Sequence, residues 1–210
     1  MIARNWFKIM LLSMGVFLWG CTPASNNGSP GNEGDQVLVF LVRHAEKVDH
    51  SRDADLSGDG YLRAGELART LADAGIEYIH SSDFIRTKET AKPVAELFGL
   101  EVELYDPRDL DTLADKLKAS GGRHLVVGHS TTTPAMVEIL GGDPGSAIEE
   151  ENEYDRLYIL SIVKGEVQTV LLRYGKPCSR LPSKISASSL EVPQNSGSAL
   201  KSSHTLGLPG

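Results

Sequence analysis

Between residues 36 and 174 the hydrophobic positions fall into short unbroken runs, separated by stretches in which they recur every three or four residues. QVLVFLVR (36–43) is a run of strand length, apolar at successive positions, and predicts a strand buried on both faces. GYLRAGELARTLADAG (60–75) places Ala64, Leu67, Ala68 and Leu71 on one helical face, with Gly75 as the stop. IEYIHSS (76–82) predicts a second strand, followed by a helix capped by Ser82 in which Pro93 either kinks the helix or begins its second half. VELYD (102–106), LDTLADKLKAS (110–120) and HLVVGH (124–129) continue as strand, helix, strand, and TPAMVEILGG (133–142) puts Pro134 near a helix start. DRLYILSIV (155–163) and EVQTVLLRY (166–174) flank Lys164-Gly165, a two-residue hairpin signal.

Strands alternating with helices imply an α/β fold of three layers, a mostly parallel sheet with helices on both faces and a C-terminal hairpin at one edge. The ends of the chain read differently. TPASNNGSPGNEGD (22–35) has no apolar residue able to build a core, so residues 21–36 are expected to be a flexible tether with a reach of roughly 20 Å. Beyond Tyr174 the chain turns Ser- and Pro-rich without periodicity, and residues 176–210 are expected to be a disordered tail. The folding unit is therefore residues 37–175, an ordinary size for one domain.

A formal net charge of -7 and the lack of a basic tract argue against a nucleic-acid partner, because phosphate backbones demand clustered Lys and Arg. At the amino end, Arg4 and Lys8 precede an apolar stretch from Ile9 to Trp19, the length of a signal-peptide core and too short to span a bilayer. Leu18-Trp19-Gly20-Cys21 resembles the bacterial lipoprotein lipobox, with Trp19 where a small residue is usual. The resemblance implies that residues 1–20 are a lipoprotein signal peptide and that Cys21 is lipidated. It also implies a membrane partner through that anchor. Thr22 stands where an Asp often favours inner-membrane retention, which points to the cell envelope, on the outer membrane facing the periplasm. With Cys21 acylated, Cys178 is the only thiol left and no internal disulfide is possible.

In open α/β sheets ligands bind at the carboxyl ends of the strands. That rule brings Arg43-His44, Arg86, Asp106 and His129 to one rim. DADLSGDG (53–60) superficially looks like a calcium loop, but its twelfth position is Ala64 rather than a bidentate Glu, so calcium is rejected and Ser57 or Asp59 is read as a helix cap. His50, His80, His124 and His204 have no partner motif and read as surface or strand-end residues.

The motifs on the rim resemble those of the histidine phosphatase superfamily, also called phosphoglycerate mutase-like. LVRHAEK (41–47) is similar to its Arg-His-Gly/Ala signature, and LSGDGYLRAGELARTL (56–71) to the helix that follows it. SSDFIRTKETA (81–91) resembles its Ser-Ser-x-x-x-Arg segment and VVGHS (126–130) its second histidine motif. The resemblance covers residues 37–174 and implies a phosphohistidine intermediate on His44. Neutral imidazole suits attack on an anionic phosphomonoester. Arg43 and Arg86 would offer guanidinium forks to phosphate oxygens, and His129 would complete the pocket as a donor.

For the acid that protonates the leaving group, Asp106 is the first choice. Glu46 is the second, or else it orients Arg43 or His44. No metal or other cofactor is required, since the arginines supply the positive charge. VELYDPRDLDTLADKLKAS passes straight into a helix where the mutases carry a long insertion, which makes mutase activity improbable. The resulting expectation is a metal-independent phosphatase acting on phosphate esters of small-molecule or protein substrates. A protein phosphohistidine phosphatase and a non-catalytic lipoprotein that binds phosphate ligands are the alternatives.

Overall fold

The computed structural model of the chain describes residues 36–178. The expectations for the signal peptide, the tether and lipidation at Cys21, and for the tail beyond Cys178, lie outside the described residues.

The strands are β1 (Gln36–Arg43), β2 (Tyr78–Ser82), β3 (Val102–Tyr105), β4 (Gly122–Gly128), β5 (Arg156–Val163) and β6 (Glu166–Arg173). They form one sheet in the order β3-β2-β4-β1-β5-β6. The first four run parallel, while β5 is antiparallel to β1 and β6 to β5. The helices are α1 (Gly58–Thr70), α2 (Ile85–Phe98), α3 (Leu110–Ser120) and α4 (Thr132–Ile139). This is the expected mixed α/β architecture, closed at one edge by the hairpin. Lys164 and Gly165 both have positive φ, the backbone a two-residue hairpin turn of matching twist requires.

The run at 37–42 is apolar throughout because alternate side chains of β1 serve different cores. Val37, Val39 and Leu41 pack with Leu113 and Leu117 of α3 and Met136 and Val137 of α4. Phe40 and Val42 pack with Leu67 of α1 and Ala91 and Val94 of α2. The sheet is thus sandwiched between a pair of helices on each face. Leu67 and Leu117 are fully buried, and truncating either to Ala should cost roughly 2–5 kcal/mol.

Two local expectations are revised. The α1 helix starts at Gly58 with the Ser57 side chain accepting from Gly60 N, and it ends at Thr70 rather than at Gly75. Its last turns tighten into three-residue bonds, Ala72 N to Arg69 O and Ala74 N to Leu71 O, before Gly75 takes a left-handed φ. Ser82 is not the cap of α2. That helix begins after Phe84, which makes no side-chain cap, and the Ile85 N–H is satisfied by Asp53 Oδ1 from the β1–α1 loop at 2.8 Å. Pro93 sits inside α2, which runs on to the left-handed cap at Gly99.

Candidate active site

The carboxyl ends of β1, β4 and β2 lie side by side, and each delivers one element of the site. His44 N donates to Gly128 O at 2.9 Å, extending the β1–β4 ladder by one bond, and Ala45 N donates to Thr90 Oγ1 of α2 at 2.9 Å. The turn after the strand is therefore pinned on two sides. Gly60 completes the fit, because a Cβ there would stand 2.3 Å from Glu46 O. The glycine is what lets the first turn of α1 close on the loop carrying His44.

His44 is 2% exposed, and its Nδ1 faces Ala45 O at 2.8 Å. A carbonyl can only accept, so Nδ1 carries the proton and Nε2 the lone pair. Burial, with Arg43, His129 and Arg86 adding their charges, lowers the imidazole pKa to about 2. His44 is therefore neutral across the physiological range, which is the form a nitrogen nucleophile needs.

The His129 ring sits edge-on to it, with centroids 5.5 Å apart. Arg86 Nη2 donates to His129 Nδ1 at 3.4 Å, so the proton of His129 lies on Nε2 and is given to Ser82 Oγ at 2.9 Å. Ser82 Oγ donates onward to Thr87 Oγ1 at 3.1 Å. Burial first, then Arg86 and Arg43, brings the His129 pKa down to about 4.

Arg43 is 1% exposed and lies over the Tyr154 ring. Its Nη1 donates to Glu149 O at 3.2 Å and Glu153 O at 3.1 Å, and its Nη2 to Glu150 O at 2.6 Å. Arg86 packs on the Phe84 ring and donates through Nη1 to Arg52 O at 3.0 Å. In both guanidinium groups Nε is buried and, among the described residues, has no hydrogen-bond partner. A buried charged donor without an acceptor is costly, and an anion bound between these side chains would relieve two such costs together.

The structure thus brings Arg43, His44, Arg86 and His129 to one rim and leaves the two candidate acids outside it. Asp106 directly follows β3, which lies three strand spacings or about 14 Å from β1. Its carboxylate accepts from Arg108 Nε and Nη2 at 2.9 and 2.8 Å, which holds its pKa down at about 2. Glu46 neither orients Arg43 nor meets His44. It takes three hydrogen bonds, of 2.7 to 3.0 Å, from the buried Arg63.

The carboxylate that does reach the rim is Glu150, which no motif marks. Ser130 Oγ donates to its Oε2, and its Oε1 lies 3.4 Å from Arg43 Nη2. A stretch of four Glu in the five residues from 149 to 153 was the only hint in the sequence. A hollow of about 290 Å³ opens beside the rim against Tyr154, between Lys47–His50 and Glu151. No group of three or more His, Cys, Asp or Glu suited to a metal ion occurs among the described residues.

The chain is similar to known proteins over part of its length. Residues 39–111 match the profile of the histidine phosphatase superfamily (branch 1). A probable phosphoglycerate mutase of Yersinia enterocolitica is 38% identical over 79 residues, 34% of this chain and 36% of the relative. A counterpart in Serratia proteamaculans is 35% identical over the same length. The chain therefore spans only about a third of the length of the curated relatives it matches.

Among solved structures, the protein histidine phosphatase SixA complexed with tungstate superposes with a TM-score of 0.53 at 19% identity, covering 65% of this chain and 96% of that one. Phosphoglycerate mutase from Bacillus anthracis gives 0.54 at 17% identity over 67% and 95%. These two likenesses concern the fold.

Proposed function

We propose that this chain is a phosphatase that hydrolyses phosphate esters through a phosphohistidine formed on His44. The observation that carries the reading is the pair of buried Arg43 and Arg86 Nε donors without acceptors, grouped with a neutral imidazole whose lone pair is on Nε2. In this reading a phosphoryl group takes those two donors, and the guanidinium charges stabilise it as it transfers. His44 Nε2 attacks phosphorus and the ester oxygen leaves. The positive charge that develops on the ring is met by the Ala45 carbonyl at Nδ1. His129 contributes through Nδ1 once Ser82 reverses its hydrogen bond and donates to Nε2, which moves the ring proton to the side facing Arg86. The arginines supply the cationic charge, so the reaction needs no metal.

A protein-borne phosphohistidine is a second substrate class. It is supported by the direct β3–α3 connection, only residues 106–109, which builds no lid over the rim. We propose in addition that the chain is anchored at Cys21 to a membrane facing the periplasm. Cys21→Ser should then move the protein out of the membrane fraction, and unchanged retention would refute the anchor.

The catalytic test uses the full chain in EDTA, incubated with a panel of phosphomonoesters and a phosphohistidine protein, with an alkaline quench to trap acid-labile phosphoprotein. Turnover and a trapped phosphoenzyme are expected for the parent and neither for His44→Ala. Turnover that survives His44→Ala, or a parent inert on the whole panel, overturns the reading.

A further inference from the structure

Glu150 lies in the segment between α4 and β5, more than one hundred residues from His44 in sequence. One carboxylate oxygen is bonded by Ser130, the residue after His129, and the other lies 3.4 Å from Arg43, the residue before His44. Its main chain is held just as firmly, because the Arg43 guanidinium donates to the carbonyls of Glu149, Glu150 and Glu153. The side chain next to His44 therefore fixes the backbone that carries this carboxylate. The Glu150 side chain is 58% exposed, so it can exchange protons with water. Other carboxylates around the rim are committed elsewhere: Glu46 to Arg63, Asp106 to Arg108, Glu153 to Arg156 and Arg173, and Asp53 to the start of α2.

We infer that Glu150 is the proton donor and acceptor of this site, a role that rests on the phosphohistidine reading above. In the first step His44 Nε2 bonds to phosphorus and the P–O bond to the leaving group breaks, its electron pair going to oxygen. Glu150 gives its proton to that oxygen, releasing an alcohol. In the second step Glu150 takes a proton from water as the water oxygen bonds to phosphorus. The P–N bond then breaks, its electron pair returns to Nε2, and inorganic phosphate leaves with Glu150 protonated again.

The Ser130 hydroxyl, followed by Arg43 and Lys47, holds the resting carboxyl below its usual range. A dianionic phosphoryl group on the arginines offsets that pull and favours proton uptake, since like charges at short range disfavour ionisation. The substrate complex thus suits the leaving-group step, which leaves Glu150 ionised as the water step needs it, and loss of phosphate returns the carboxyl to its lowered resting range.

The test compares the full chain with Glu150→Gln and Ser130→Ala on 4-nitrophenyl phosphate, whose leaving group needs no proton, and on an alkyl phosphate, whose leaving group does. For Glu150→Gln, kcat/KM on the alkyl ester should fall by about 100-fold or more, and on the nitrophenyl ester by less than about tenfold. Acid-labile phosphoenzyme should accumulate with the nitrophenyl ester as water attack slows. Ser130→Ala should raise the pH at which the alkyl ester loses activity. Equal losses on both esters without phosphoenzyme build-up, or unchanged rates on both, overturn the assignment, as does the same leaving-group signature in Asp106→Asn in place of Glu150→Gln. A parent inert on both esters sinks the phosphatase reading itself, and this assignment with it.

Discussion

The guanidinium of Arg43 lies 4.1 Å from the centre of the Tyr154 ring and bonds three main-chain carbonyls of the segment just before it. One buried side chain therefore joins the end of the first strand to a loop more than one hundred residues away. Lys would keep the charge but lose the planar fork and the stacking. Arg43→Lys is expected to lower kcat/KM on phosphate esters by about 100-fold or more. It should also cost at least about 2 kcal/mol of stability, since hydrogen bonds from a charged donor to three carbonyls are lost. Hydrogen exchange should quicken at residues 149–153 above all. Exchange unchanged there, with activity lost, would mean that Arg43 does not organise the loop.

Glu46 and Arg63 form the other tie to the His44 loop. Arg63 is buried between α1 and the end of β6, and it donates to Glu46 as well as to Tyr174 O and Lys176 O, both at 2.9 Å. Removing one partner of such a pair strands the other without compensation. Arg63→Met and Glu46→Gln should each lower the thermal midpoint, with Arg63→Met costing roughly 3–5 kcal/mol. If Glu46 is structural, Glu46→Gln keeps the parent's ratio of alkyl to nitrophenyl ester rates. A selective loss on the alkyl ester would return Glu46 to the chemistry.

These ties explain what could and could not be read in advance. The strands and their carboxyl-end residues were legible because hydrophobic runs mark buried strands, and topology then carries Arg43, His44, Arg86 and His129 to one rim whatever the loops do. Glu150 was not legible, because its position depends on a long-range clamp from Arg43 and on Ser130, and neither leaves a local pattern. Ser82 looked like a helix cap because a polar residue before a helix usually is one. Instead it is buried against His129, and Asp53 caps α2 from another loop. His80 and His124 looked bland for want of a motif, yet they form a buried pair.

Catalytic pH dependence follows from the two rim histidines. Both have folded pKa values below the ordinary 6.5, His44 at about 2 and His129 at about 4. In the free enzyme each is therefore neutral from neutral pH down to about pH 5, and kcat/KM reports the free enzyme. Over that window kcat/KM should show no acid limb from an ordinary histidine, and the limb should appear only as pH approaches the His129 value. Circular dichroism at each pH separates loss of fold from loss of chemistry. An acid limb centred near the ordinary histidine value that moves in His129→Gln would contradict the buried, neutral assignment.

Stability should respond to pH through His80 and His124. His124 Nε2 donates to Gly121 O at 2.6 Å, so its Nδ1 accepts from His80 Nε2 at 3.1 Å. Tyr78 stacks on His124, Glu103 lies 3.4 Å from His80 Nδ1, and Lys116 pairs with that same carboxylate. Burial, with His124 adding to it, lowers His80 to about 4, and burial also lowers His124. A histidine whose folded pKa is depressed binds fewer protons folded than unfolded between the two values. Its contribution is thus intact above about 6.5 and is lost as pH falls toward 4. For His80 the loss by about pH 5 should be roughly 1–2 kcal/mol. His80→Gln should be less stable than the parent at neutral pH, yet lose less on going to pH 5, as read by urea unfolding at both. A parallel loss in the two proteins would show that the pair does not set the acid sensitivity of the fold.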